Sequence, residues 1–195
     1  ICDSLGNLHM FGTTSSSDFP VTATAYQDTL NGGIYQQFLY NGSSFWDINH
    51  VGGGTDIFVT KFNPTGSTLL GSTFIGGSHN DGLNYSLSGG NYSSSAAYDS
   101  LSNNYGDQFR GEIMIDDLGF IYITTSTYSS DFPIVNGFQN TIGGLQDAIV
   151  CKFSPSLDNL IWSTYLGGTE KDAGYSLKLN SNKDVIVAGG TCSSS

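Results

Sequence analysis

The chain repeats itself, and this constrains its fold more than any other feature. The segment Asp3–Pro20, DSLGNLHMFGTTSSSDFP, aligns with Asp116–Pro133, DDLGFIYITTSTYSSDFP. Further along, Thr55–Ser78, TDIFVTKFNPTGSTLLGSTFIGGS, aligns with Gln146–Thr169, QDAIVCKFSPSLDNLIWSTYLGGT. Internal repeats of this kind predict several similar structural units that each bury their apolar surface against a neighbour.

The length of one copy follows from equivalent residues. A third copy opens at Asp172–Thr191, and it places Leu179 at the position of Ile115, 64 residues earlier. The first copy is longer because it carries two insertions, at about residues 34–53 and 80–106. The chain thus holds about two and a half copies, and we expect it to be a piece of a longer polypeptide.

Each copy holds short apolar runs separated by turn residues. In the second copy they are GEIMI, FIYITTS, DAIVCKF and NLIWSTYL, and their β-branched and aromatic content predicts strands. The short connections DDLG and SPSLD are typical of hairpins. Runs such as AIV do not alternate between apolar and polar residues, so we expect both faces of each sheet to be covered.

This pattern predicts an all-β protein built of four-stranded antiparallel meanders, packed face to face as the blades of a β-propeller. A β-solenoid and a large sandwich are the alternatives. Residues 1–79 are then a first blade with strands two to four and the insertion at about 34–53. Residues 80–106 are an inter-blade insertion, residues 107–169 a second blade, and residues 170–195 the truncated start of a third.

Three recurring blocks resemble one repeat family. They are GNLHMFGTTSSSDFP with GFIYITTSTYSSDFP, DIFVTKFNP with DAIVCKFSP, and STFIGGS with STYLGGT. They resemble the SBBP-type β-propeller repeat, a family named for an expected seven-bladed propeller. The resemblance implies a large secreted or surface protein of the kind found in gliding bacteria with type IX secretion, and it implies no catalytic activity. The two insertions depart from the family pattern.

The repeated Ser-Ser-Asp-Phe-Pro follows the second strand of a copy. Proline favours an extended conformation at the preceding phenylalanine, whose ring we expect to fill a gap between blades. We expect the aspartate to accept backbone N–H groups in an Asx-type turn, with metal ligation as the alternative. These structural repeat positions are Asp18, Phe19, Pro20, Asp131, Phe132 and Pro133.

The two insertions extend connections on the same side of the predicted blades, because strands of a meander alternate in direction. The first insertion combines aromatic rings with amide and carboxylate groups, a composition that suits a sugar or a protein partner. Alternatively, the rings form a small core beneath the loop. The candidate ligand-binding residues are Tyr35, Tyr40, Trp46, Asp47 and Asn49.

Charge and motifs narrow the function. The formal charge is −11 with six Lys and Arg residues, which argues against nucleic acid and against an anionic membrane surface. No apolar run has the length of a membrane span. The histidines, His9, His50 and His79, lack metal-ligand spacing, and no nucleophile or phosphate-loop motif occurs. We therefore expect no enzyme, cofactor or metal, although aspartates of a glycosidase remain an alternative.

The sequence thus favours an extracellular or outer-surface scaffold that acts in adhesion or surface assembly. Other blades of the same or a neighbouring chain are the expected partners, with a surface protein or glycan at the loops. Ser4, Thr29 and Ser100 lie in Asp-Ser/Thr-aliphatic triplets that resemble O-glycosylation acceptors of the same bacterial lineage. The three cysteines form no disulfide framework, and Cys2 and Cys151 fall in predicted strands, where buried thiols are expected.

Overall fold

The computed structural model describes residues 1–40, 46–52, 54–83 and 110–194, and only the backbone of 34–40 and 46–52. This part of the chain is all-β and contains no helix, hence none long and apolar enough to cross a membrane. Its strands are β1 (Leu8–Thr14), β2 (Ile34–Tyr40), β3 (Trp46–Gly52), β4 (Asp56–Phe62), β5 (Leu69–Ile75), β6 (Glu112–Ile115), β7 (Ile121–Thr127), β8 (Asp147–Phe153), β9 (Leu160–Leu166), β10 (Asp172–Leu179) and β11 (Val185–Thr191).

The strands form three sheets and one hairpin, all with antiparallel pairing. The first sheet has the order β1-β4-β5, the second sheet β6-β7-β8-β9, and the third sheet β10-β11. The hairpin β2-β3 stands apart within the first insertion. Strands that are equivalent by sequence therefore hold equivalent places in their sheets, and the predicted strands of the second copy are all present.

The same turn precedes the second strand of each copy. Asp116 Oδ1 accepts the N–H groups of Leu118 and Phe120, each at 2.9 Å. Asp3 accepts equivalent bonds in the first copy, and Asn180 does so in the third. Gly119 has a φ of 85°, a conformation that glycine adopts without strain. This acidic or amide residue therefore fixes the hairpin register wherever the repeat places it.

The second sheet is covered on both faces. All seven residues of β7 are buried. One face, with Ile123 and Ile149, packs against Ile57 of the first sheet. The other face, with Tyr122 and Val150, packs against Leu177 of the third sheet. The lack of apolar alternation in the sequence thus reflects a sheet with neighbours on two sides.

Within the described part of the chain, another sheet covers only one face of the first sheet. Along β1, Leu8 is 37 % exposed, His9 is buried and Met10 is 43 % exposed. Residues of a strand alternate between faces, so the side of β1 that carries Leu8 and Met10 meets solvent. The exposed Ile186 of β11 indicates the same for the third sheet.

The cysteines differ from expectation at one position. Cys151 is fully buried in the core between the first and second sheets, as predicted. Cys2 is exposed, so the prediction of a buried thiol there is wrong. The reason is its place at the edge of the first sheet, where it forms only a single bridge with Leu8.

Equivalent phenylalanines allow a test of this packing. Phe132 is 3 % exposed and lies in the core between the first and second sheets, whereas Phe19 is partly exposed and stacks on Phe58 at 4.5 Å. We predict that Phe132→Ala lowers the free energy of unfolding by about 3–5 kcal/mol. Phe19→Ala should cost only about 1 kcal/mol, because less of its surface is buried. Urea unfolding measures both, and equal losses would contradict the burial difference.

Candidate functional site

Both insertions leave the sheets at one place. Gly33 and Gly54 flank the hairpin β2-β3, and a Cβ on either would collide with the side chain of Asn80. Asn80 Oδ1 also accepts the N–H of Thr55 at 3.1 Å. Asn80 begins the second insertion, whose residues 84–109 lie outside the described part of the chain. The stems of the two insertions are therefore in contact, and we call the surface above them the loop side.

The predicted ligand-binding residues lie on this hairpin. Backbone register pairs Tyr40 with Trp46, so two of them are direct cross-strand neighbours. Asp47 pairs with Leu39, Asn49 with Gln37 and Tyr35 with Val51. Their side chains lie outside the described part of the structure, so the binding assignment stays a prediction.

A glutamine closes the base of the connection that carries the hairpin. Gln27 Nε2 donates to Asp56 Oδ2 at 3.0 Å, and the N–H of Gly76 donates to Gln27 Oε1 at 3.1 Å. Gln27 therefore joins the start of β4 to the end of β5. Sequence analysis missed this role, although a glutamine follows an aromatic residue in both copies.

The second copy repeats this arrangement. Gln139 Nε2 donates to Asp147 Oδ2 at 2.9 Å, and the N–H of Gly167 donates to Gln139 Oε1 at 3.1 Å. The connection here is short, and Gly143 N–H donates to the same carboxylate at 2.8 Å. The hydrogen bonds of this glutamine, which we call the glutamine base, thus form with or without an insertion in the connection.

A second aspartate joins each sheet to the next. Asp81 Oδ2 accepts the N–H of Gly77 and the hydroxyl of Ser129, each at 2.9 Å. Its other oxygen, Oδ1, accepts the hydroxyl of Thr127. Asp81 follows the first sheet, while Thr127 and Ser129 belong to the second copy. The carboxyl therefore bridges two sheets, and we call this arrangement the junction clamp.

The next junction uses equivalent atoms. Asp172 Oδ2 accepts the N–H of Gly168 at 2.7 Å and the hydroxyl of Ser193 at 2.9 Å. Ser193 N–H in turn donates to Thr191 Oγ1 at 3.0 Å, as Ser129 N–H does to Thr127 Oγ1 at 2.9 Å. A Gly-Gly-x-x-x-Asp turn thus meets a Thr-x-Ser segment at both junctions.

The carboxyl groups of Asp56 and Asp81 have unusually high pKa values. Burial raises the pKa of Asp56 to about 6 and that of Asp81 to about 8. Both carboxyl groups lie close to Gly76, where an added Cβ would be 2.6 Å from Asp56 Oδ1 and 2.7 Å from Asp81 Oδ2. Both residues are fully buried, so a bound substrate would not reach them. Their positions suit a scaffold role better than general acid–base catalysis.

The Asp-Phe-Pro segment of the second copy forms hydrogen bonds across a junction. Asp131 Oδ1 accepts the N–H and the hydroxyl of Ser78, at 2.9 and 3.1 Å. Ser78 follows the first sheet, so these bonds join Asp131 to the preceding sheet. They are not the bonds of the Asx-type turn that we expected at Asp131. Pro133 supplies a backbone carbonyl to the Ser163 hydroxyl, and Pro20 supplies one to Ser72.

The remaining predicted positions are distributed over the surface. Ser4 and Thr29 are exposed, whereas Ser100 lies outside the described residues. His9 is buried, and its Nε2 lies 3.2 Å from Asp3 Oδ2. Among the described residues, no group of three or more His, Cys, Asp and Glu side chains could hold a metal ion.

A scan of the chain against protein-family models matched no family, and a search of the curated proteins matched none of them. The resemblance to a repeat family therefore rests on the sequence blocks alone.

The raised pKa of Asp81 leads to a pH prediction. Its pKa is about 8 in the folded protein, against an ordinary value of 3.8 for an aspartate. Between these values the folded protein holds a proton that the unfolded chain has released, so the free energy of unfolding falls as pH rises from about 4 to 8. One proton gives a slope of up to about 1.4 kcal/mol per pH unit. Asp81→Asn keeps the shape of the side chain and removes the titrating group, so it should flatten this slope in urea unfolding between pH 5 and 8.

Asp131→Asn provides the matched control. Hydrogen bonds from Ser78 hold the pKa of Asp131 below its usual range, so its stabilising effect is present above about pH 4 and is lost at lower pH. Asp131→Asn removes this effect, so it should lower stability at neutral pH. It should leave the slope between pH 5 and 8 unchanged and alter the pH dependence only in acid, where the parent protein loses stability as pH falls. Asp56, whose carboxyl also leans on Gly76, contributes to the slope of both variants. If Asp81→Asn left the slope between pH 5 and 8 unchanged, the buried proton would not reside on Asp81.

Proposed function

We propose that the chain is a non-catalytic segment of an extracellular β-propeller, in which the three sheets are successive blades. The observation that carries this proposal is the pair of hydrogen bonds that both junctions share, from a glycine N–H and a serine hydroxyl to Asp81 and to Asp172. Repeating one junction geometry generates a constant rotation from sheet to sheet, and a constant rotation arranges sheets around an axis.

The alternatives fit the packing less well. A sandwich covers one face of each sheet, whereas the second sheet has neighbours on both faces. A β-solenoid uses parallel coils, whereas every strand pair within the described residues is antiparallel. A single isolated bridge, between Gln146 and Lys171, is parallel, and it lies outside the strands.

The proposed role is adhesion or surface assembly through the loop side. The junction clamps and the glutamine bases hold the scaffold beneath it, while the insertions of the first copy enlarge only the connections above. The resemblance to SBBP-type repeats supports a secreted or outer-surface location. The formal charge of −11 supports partners other than nucleic acid, and no membrane insertion is proposed.

Shortening the hairpin tests the display role. Deleting residues 33–53 leaves a connection like that of the second copy, where Gln139 and Asp147 bond without an insertion. The free energy of unfolding should change by less than about 1 kcal/mol, because loop length affects closure entropy only weakly. Beads coated with the intact chain should adhere to bacterial cells, and beads coated with the deletion variant should not. Equal adhesion by both would reject the loop side as the contact surface.

A carbohydrate-binding or carbohydrate-cleaving propeller is the second candidate. The cross-strand pairing of Tyr40 with Trp46 favours it, since paired aromatic residues commonly stack on sugar rings.

Trp46→Ala tests this candidate on a panel of purified bacterial polysaccharides. If the hairpin binds sugars, the substitution should weaken binding at least about tenfold, a loss typical of an aromatic anchor. Phe38→Ala is the matched control, because Phe38 pairs with Ile48 rather than with an aromatic residue and is not a candidate ligand-binding residue. Absence of binding by the intact chain would leave protein-mediated assembly as the function. Release of reducing sugar that Asp47→Asn abolishes would reject the non-catalytic assignment.

A further inference from the structure

The first sheet presents an apolar face with no sheet on it, the outer face. Leu8 and Met10 of β1 lie there, 37 % and 43 % exposed, and Phe58 of β4 is partly exposed beside the ring of Phe19. The equivalent residues of the second sheet are fully buried against the first sheet: Ile121, Ile123 and Ile149. The repeat thus places junction residues on a surface that has no neighbouring sheet.

The first copy also carries the Thr-x-Ser segment of a junction on the side of the outer face. Ser16 N–H donates to Thr14 Oγ1 at 3.0 Å, the bond that Thr127–Ser129 and Thr191–Ser193 form in their clamps. Ser16 is exposed, whereas Ser129 is fully buried by its clamp. The Gly-Gly-x-x-x-Asp turns within the described residues are already bound, to Ser129 and to Ser193. The first copy therefore has a Thr-x-Ser segment without a clamping aspartate among the described residues.

We propose that the outer face is a docking surface for one more sheet of the same repeat, whose fourth strand ends in a Gly-Gly-x-x-x-Asp turn. The aspartate of that turn accepts the hydroxyls of Ser16 and Thr14, and the sheet covers Leu8 and Met10. The inference rests on the proposed propeller and adds the chemistry of its next contact.

The docked sheet belongs to the same polypeptide. At both junctions in the chain, the clamping aspartate leads into the first strand of the sheet that it clamps: Asp81 precedes β6, and Asp172 begins β10. A clamp on Thr14 and Ser16 would likewise lead into a strand beside β1, where Cys2 already bridges Leu8.

The chemistry of the outer face favours a sheet over other occupants. Its strand positions on β1 and β4 are uncharged, namely Leu8, Met10, Gly12, Phe58, Thr60 and Phe62. An apolar surface of this composition gains from contact with another apolar sheet and offers no counter-charge to an ionic ligand. Phe19 would become covered as Phe132 is, at 3 % exposure.

A tandem fusion tests the proposal. Residues 110–177 are placed directly before Ile1, since Leu177 and Ile1 are consecutive positions of the repeat. The added copy brings its own second-sheet strands and its own Asp172. Peroxide oxidation of Met10, followed by mass spectrometry, reports cover of the outer face, because exposed methionine thioethers oxidise faster than buried ones. Oxidation of Met10 should slow at least about tenfold in the fusion, as the thioether leaves solvent.

Two controls make the result decisive. Asp172→Ala in the added copy alone removes the clamp and keeps the apolar cover, so Met10 should oxidise faster than in the parent fusion. Thiol labelling of the added Cys151 reports whether the added sheet folds. The proposal is overturned if Met10 oxidises as fast in the fusion as in the original chain, whether the added sheet folds alone or stays unfolded. Adhesion of the intact chain and of the hairpin deletion is measured separately, so equal adhesion by both would refute the display role without affecting this result.

Discussion

A carboxyl that reaches from one sheet into the next is the interaction on which this architecture depends. Apolar packing between sheets supplies most of the stabilisation, but it is not directional and allows one sheet to rotate on another. The Asp81 carboxyl, fixed by Gly77, Thr127 and Ser129, removes that freedom. Its burial costs free energy, as its raised pKa indicates. In exchange for this cost, the hydrogen bonds of Asp81 fix a single relative orientation of neighbouring sheets. Any repeated assembly needs such a fixed orientation, because small angular errors add up from unit to unit.

The clamp also explains the glycine pair that ends the fourth strand of each copy. Gly76 lies against two carboxyl groups, and Gly77 supplies the N–H that the second of them accepts. A Cβ at Gly76 would separate those groups from their donors. The sequence Gly-Gly-x-x-x-Asp is thus one functional unit, and its partner is the Thr-x-Ser segment of the next copy. Neither the Gly-Gly-x-x-x-Asp turn nor the Thr-x-Ser segment finds its partner within a single sheet, which is why the two segments repeat together.

The repeat predicted the strands and the antiparallel sheets well, because apolar runs and turn residues act locally. It also led to the prediction that Asp18, Phe19 and Pro20 with Asp131, Phe132 and Pro133 are structural positions. It did not reveal what Asp131 bonds, since Ser78 is 53 residues away and only the packing of two sheets brings them together. Gln27 and Gln139 were missed for the same reason. Cys2 was misjudged because strand character predicts burial only where another sheet covers that strand.

The glutamine base shows how one copy can carry a long insertion without disturbing the sheets. In both copies the same bonds join the connection to the third and fourth strands, at Asp56 and Gly76 and at Asp147 and Gly167. The chain is therefore fixed before it enters the hairpin, and Asn80 fixes it again at Thr55 on its return. Whatever lies between these points adds a closure entropy that grows only with the logarithm of loop length. The loop side is consequently free to vary in sequence and size, while the junctions beneath it are constrained by two sheets at once.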